Sequence, residues 1–176
     1  FSLSGADWVV DASSPNQPPF FPNYTRQNVN ATLYPTGWTP GTAIAINQSA
    51  SDGSALLAQD ILVQNPGAVF PSHKPKVTLR HANSMIDVML TNVTRGQIQN
   101  VVVIANSITY TPYEITNRPG YIEFLAIIPA GVNNPQIQVT TQEGAVYTET
   151  LTLTRPTQIN TCYCAKLTGL ELMLSS

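Results

Sequence analysis

Apolar and polar positions alternate most clearly from Pro75 to Thr94, PKVTLRHANSMIDVMLTNVT. Val77 and Leu79 alternate with Thr78 and Arg80, and Ile86, Val88 and Leu90 alternate with Asp87 and Met89. A period of two sends successive side chains to opposite faces, so each half is predicted as a strand with one buried and one wetter face. His81-Ala82-Asn83-Ser84 interrupts the alternation, and one extra residue there would re-aim the side chains as a β-bulge does. The stretch is therefore predicted as one long, bent strand in the middle of a β-sandwich.

The flanking chain supports the same architecture. Ala43 to Ile46 is predicted as a short strand and 47–54 as a polar loop. ALLAQDILV at 55–63 is predicted as a partly extended segment with a brief helical turn, being too short for a stable helix. Arg95-Gly96 marks a turn, and Ile98 to Ile104 reads as a strand covered on both faces. Asn117 to Gly120 is a turn, Tyr121 to Ile128 a strongly apolar strand, and Gln142-Glu143-Gly144 a hairpin connection joining strands around Val139 and Tyr147. Further strands are predicted at 159–167 and, as LELML, at 170–174. The predicted inward set is Val77, Leu79, Ile86, Val88, Leu90, Val101, Val103, Phe124, Ile128, Leu151 and Leu153. With about seven to nine strands and no convincing helix, the fold class is all-β, an antiparallel sandwich of the transthyretin-like or immunoglobulin-like kind.

Six of the fourteen prolines fall within residues 1–42, with Trp8, Phe20, Phe21, Tyr24, Tyr34 and Trp38 among them. Proline is excluded from central strands, and aromatics in irregular chain pin loops onto a domain. This segment is predicted to be extended, packed on a single domain spanning 1–176 that is large enough to bury a core. The chain begins at Phe1, and we expect a mature or trimmed form.

Charged residues make up 10% of the chain, against about 25% in ordinary globular proteins. Thr, Asn, Gln and Ser take their place and favour strands and turns. A net charge of −2 and eight scattered basic residues give no basic stripe for nucleic acid. No apolar run reaches the length of a membrane helix. Cys162 and Cys164 are spaced to share a strand face, roughly 6.5–7 Å apart, at the limit for a disulfide and short of a zinc ligand set. They are expected to be small side chains on a strand. His81 is expected to be structural, its ring bonded to backbone at the kink. Asp7 with Asp11 and Asp52 with Asp60 are the closest acidic pairs and are expected to be solvated loop carboxylates. No nucleophile elbow, phosphate-binding loop or zinc-binding helix motif is present. No catalytic residue, metal or cofactor is expected.

The stretch from Pro75 to Leu90 resembles the signature strand of the fimbrillin-like family of Bacteroidales surface proteins: an alternating strand, then His-Ala, then a second alternating strand. Upstream, Leu33-Tyr34-Pro35 with Trp38 is similar to that family's Tyr-Pro segment, and 49–63 to the run preceding its signature strand. Downstream, Ala126-Ile-Ile-Pro129 and the Glu143-Gly144 hairpin leading to Tyr147 follow in the same order. The resemblance covers roughly residues 31–155. It implies a sandwich exported as a lipoprotein to the outer surface and assembled into fimbriae by strand donation, in which one subunit's extended segment completes the next subunit's sheet.

Two functions are thus in view. One is a non-catalytic cell-surface adhesion protein, a shaft, tip or accessory pilus subunit. Its partners would be other fimbrial subunits and a host or bacterial surface ligand, protein or glycan. Leu170, Leu172 and Leu174 form a one-sided leucine face, an aggregation liability unless paired; the segment is expected either to close this subunit's own sheet or to enter a neighbour's groove, and these leucines are the candidate partner-strand residues. The alternative is a carbohydrate-binding module using Trp8, Trp38, Tyr110 and Tyr113.

Overall fold

The computed structural model describes residues 42–64, 79–116 and 118–168, together with the backbone of five further short strands. In chain order the strands are β1 (Ser2–Ser4), β2 (Asp7–Val9), β3 (Gln27–Asn28), β4 (Thr32–Leu33), β5 (Leu62–Gln64), β6 (Val69–Phe70), β7 (Leu79–His81) and β8 (Ser84–Thr91). They continue as β9 (Ile98–Ala105), β10 (Ile108–Tyr110), β11 (Tyr113–Ile115), β12 (Tyr121–Ile128), β13 (Gln136–Thr141), β14 (Val146–Thr150) and β15 (Thr161–Leu167). One helical turn, α1 (Ser54–Leu57), precedes β5. Of the inward set, Val77 lies outside the described residues. So do Trp38, the leucines of 170–174, and most of the proline-rich segment.

Among the described residues, eight strands build the sandwich. One sheet runs β10-β9-β13-β14 and the other β11-β12-β8-β15. Strand β8 is central, as expected, with β12 antiparallel on one side and β15 on the other. Its burial alternates strictly, with Ser84, Ile86, Val88 and Leu90 all at 0–1% exposure. Phe124 and Ala126 of β12 lie directly across from Val88 and Ile86, and all four join one core with Val103, Ile137 and Val139 of the facing sheet. Burying each large apolar side chain contributes about 1.5–3 kcal/mol, so the register of β8 is held by its core face: a one-residue slip would turn Asp87 and Met89 inward.

Strand β9 shows how a local irregularity serves the same core. Ile98 and Val101 are both buried although they stand three positions apart, out of phase with a period of two. The pairing with β13 explains it: Thr140 opposes Asn100 while Thr141 opposes Ile98, so β9 carries an extra residue there. The bulge shifts the phase of the strand and returns Val101, Val103 and Ala105 to the interior. Val102 is also buried, in line with the expectation of cover on both faces. Asn106 and Ser107, both at positive φ, make the two-residue turn joining β9 to β10, a geometry that matches strand twist.

Four expectations need correction. The polar kink is not a bulge within one strand. Strand β7 ends at His81 and belongs to a three-stranded sheet, β4-β5-β7, whereas β8 starts at Ser84 in the sandwich. The chain turns a corner between sheets, held by Ala82 N–H to Ile61 O at 2.7 Å and Asn160 N–H to Asn83 O at 3.1 Å. Ala43 to Ile46 is not a strand; only Asn47 forms an isolated bridge, to Thr111. Leu79, Leu151 and Leu153 are half-buried rather than interior. Finally, β15 runs parallel to β8, so the sandwich is not wholly antiparallel.

Candidate functional site

The two long sides of the sandwich differ. On one side, β10 and β11 are joined by the short Thr111-Pro112 corner, which ties the two sheets together. A loop seals this side. Thr111 N–H donates to Ile46 O at 2.7 Å, and Gln48 N–H donates to Thr111 O at 2.9 Å. The Gln48 side chain, 0% exposed, then acts as a missing piece of strand. Its Nε2 donates to Ile127 O at 2.8 Å and to Ala45 O at 3.0 Å, and its Oε1 accepts Ile127 N–H at 2.8 Å. Register places β11 opposite 123–125 of β12, so Ile127 lies beyond its end and the carboxamide satisfies a backbone edge that would otherwise be orphaned.

The opposite side carries β14 and β15, each the last strand of its sheet. Here the core is not covered to the same degree. Tyr147 and Leu151 from the first sheet's side, and Tyr163 and Leu167 of β15, pack against the core but remain half-buried, and Val146 is 54% exposed. The 151–160 connection crosses one end of this seam. Thr157 pins it there: its Oγ1 accepts Val132 N–H at 3.0 Å and donates to Pro129 O at 3.1 Å. A shallow groove of about 390 Å³ follows the connection, lined by Leu153, Thr154, Arg155, Gln158, Thr161 and Tyr163. Arg155 supplies its single charge. Among the described residues no strand pairs with the outer edges of β14 and β15, and these edges lie beside half-covered apolar side chains, which is what an added strand requires.

Of the sequence-predicted site residues, Tyr110 and Tyr113 have described side chains. Tyr110 is 2% exposed and belongs to the core, so it presents no face to a sugar. Tyr113 is half-buried, its ring about 3.5 Å from where a Cβ on Gly53 would stand. The side chains of Trp8 and Trp38, and Leu170, Leu172 and Leu174, lie outside the described residues. His81 corrects another expectation: its side chain is 56% exposed, and its Nδ1 pairs with Asp60 Oδ1 rather than with backbone. What fixes the corner is Asn160, whose Oδ1 accepts His81 N–H at 3.1 Å. An exposed pair of this kind contributes less than about 1 kcal/mol.

Among the described residues no three His, Cys, Asp or Glu side chains converge as a metal centre, and no helix is long and apolar enough to cross a membrane. Asp52 caps the turn into α1 by accepting Ser54 N–H at 2.9 Å. Bonds from Ser54 hold its carboxyl below the usual value. A depressed carboxylate adds stability above its unfolded pKa and loses it as pH falls through the folded one. Local opening of α1, read by amide exchange, is therefore expected to increase below about pH 4 and to be insensitive to pH in Asp52→Asn. Equal acid sensitivity in both proteins would refute the role.

The outer face of β8 and β15 holds Asp87 and the two cysteines. Burial raises the Asp87 carboxyl, the Glu123 carboxylate adds to the rise, and Arg118 opposes it. Both thiols are free and are raised first by burial and then by the Asp87 charge. Sequence reasoning missed Gln48, Thr157 and Asn160. None sits in an alternating pattern, and their partners are 79, 25 and 79 residues away. Nothing local signals such pairings.

No family model matches the chain, and no curated protein matches it. Solved structures do. A fimbrial protein from Bacteroides ovatus aligns over 73% of this chain at 14% identity, with a TM-score of 0.48. The tip fimbrial protein Mfa3 from Porphyromonas gingivalis, truncated at its C-terminus, aligns over 63% at 12% identity, with a TM-score of 0.36. The matches cover 29% of the first protein and 59% of the second, so this chain spans less than two thirds of either. Both of these solved structures are fimbrial proteins.

Proposed function

We propose that the chain is a non-catalytic subunit of a cell-surface fimbrium that assembles by strand addition along the β14/β15 seam. The observation that carries this reading is the asymmetry of the sandwich. One side is sealed by the Gln48 loop, while the other leaves Tyr147, Leu151, Tyr163 and Leu167 half-covered beside two strand edges. An entering strand would gain backbone hydrogen bonds along β15 and bury alternate side chains between the sheets. The ordered motifs from Leu33 to Tyr147 that resemble fimbrillin-like proteins support the same class, with an outer-membrane lipoprotein location and attachment to other subunits.

Leu170, Leu172 and Leu174 are the donor candidates. They follow β15 directly in the chain, and their alternation fits one face of an added strand. Deleting residues 169–176 and measuring mass in solution tests the proposal. A folded monomer that no longer assembles, while the full chain does, is the expected result. Loss of folding would place the segment in its own subunit's core and refute donation. The carbohydrate-binding alternative loses Tyr110 to the core and gains no observation in its favour.

A further inference from the structure

The chain holds five sulfur-bearing residues, two cysteines and three methionines. Four of them meet on one surface. On β8 the even-numbered positions are buried, so Met85, Asp87 and Met89 face outward. On β15, Ala165 is interior and Tyr163 and Leu167 pack against the core, so Cys162, Cys164 and Lys166 face outward on the same side. The parallel register sets Cys162 beside Met85, Cys164 beside Asp87 and Lys166 beside Met89. Cys164 Sγ lies 3.4 Å from Met89 Sδ. Both thiols are free and exposed. In the middle of this row, Asp87 Oδ1 is buried without a hydrogen-bond partner.

Packing alone explains a single Met or Cys on a sheet, since both are adaptable fillers. It gives no reason for two accessible thiols, two thioethers and an unpartnered carboxylate oxygen to share one patch. The donor set narrows what would bind. Calcium and magnesium want an oxygen cage, and one carboxylate does not make one. Zinc wants four nitrogen, thiolate or carboxylate donors, and no three such groups converge here. Thiolate with thioether selects a soft metal, copper(I) above all.

We propose that Cys164 and Met89, supported by Cys162 and Met85, form a surface site for a soft monovalent cation of the copper(I) class. On binding, the Cys164 thiol releases its proton to solvent and the thiolate takes the metal. Met89 Sδ donates a lone pair as second ligand, and Cys162 closes the set by side-chain rotation, releasing its own proton to solvent and binding as a second thiolate. No electron is transferred. Asp87 is not a ligand; with Glu123, which lies opposite Met89 on β12, it adds negative charge near the patch, and Lys166 and Arg118 oppose it. The site is independent of strand addition.

The test is an anaerobic titration of the full chain with copper(I) against a chromophoric copper(I) chelator at neutral pH. The chain is expected to withhold one equivalent. The double variant Cys162→Ser, Cys164→Ser is expected to surrender it all. Met89→Leu and Asp87→Asn are expected to weaken retention by roughly ten- to a hundredfold, the range for losing a supporting group at a metal. Thermal melts of the metal-free variants establish that each is folded. No copper withheld by the native chain, equal retention by the double variant, or unchanged affinity in Met89→Leu would each overturn the proposal.

Discussion

Leu90→Ala is expected to destabilise the protein by about 2–5 kcal/mol, the range for truncating a fully buried leucine. Leu90 is 0% exposed at the end of β8, between Ile122 of β12 and Leu167 of β15. The cavity would open between three adjacent strands whose backbones are held by ladder bonds and cannot collapse freely. At roughly 2–4 °C per kcal/mol for a domain of this size, the melting temperature should fall by roughly 4–20 °C. Ile108→Ala is the matched control. That side chain is 44% exposed, and its loss should change stability by no more than about 0.5 kcal/mol. Equal melting of the two variants, by calorimetry or denaturant titration, would contradict the assignment of β8 as the centre of the core.

Gln48 is expected to be the most sensitive polar position. Gln48→Leu keeps the volume but leaves Ile127 N–H, Ile127 O and Ala45 O without their partner. Each buried group left unsatisfied costs about 1–3 kcal/mol. With partial relaxation of the loop, we expect a loss of about 2–4 kcal/mol. Gln48→Glu adds a pH signature. Its carboxyl can accept Ile127 N–H, but it faces two carbonyl oxygens and needs a proton to donate to either. Its folded pKa therefore rises above the unfolded value of about 4.3. A raised carboxyl retains its stability below the unfolded pKa and loses it as pH climbs through the folded one. The variant should thus approach the parent near pH 4 and fall well below it at pH 7, in urea melts at both values. A Gln48→Glu protein with the same deficit at both pH values would show that the carboxamide does not complete the β12 edge.

The sandwich was legible in the sequence because burial imposes a period of two. Ile86, Val88 and Leu90, Val101 and Val103, and Phe124 and Ile128 are all buried as that period predicts. The hairpin at Glu143-Gly144 was legible too, since Gly144 sits at φ 86°, where a side chain is strained. What could not be read was pairing over distance. The parallel contact of β15 with β8 leaves no mark in either strand's own pattern, because both directions bury alternate residues. The corner at His81 looked like a bulge because a break in alternation is the same whether a strand bends or changes sheets. Leu151 and Leu153 carried the strand period but lie just past the end of β14 at Thr150, where the chain leaves the sheet, and are half-buried. The sulfur patch was invisible for a similar reason: Cys162 and Met85 are 77 residues apart in sequence and adjacent only through register.

If strand addition builds the fimbrium, the β14/β15 side is open in the subunit and closed by a strand on assembly. Amide hydrogen exchange of separated monomer and assembled fractions, resolved to individual strands, tests it most directly. The outward amides of β15 are expected to exchange rapidly in the monomer and to become strongly protected on assembly, while β12 and the Gln48 loop are equally protected in both. Protection of β15 already complete in the monomer, or new protection appearing along β10 and β11 instead, would contradict it.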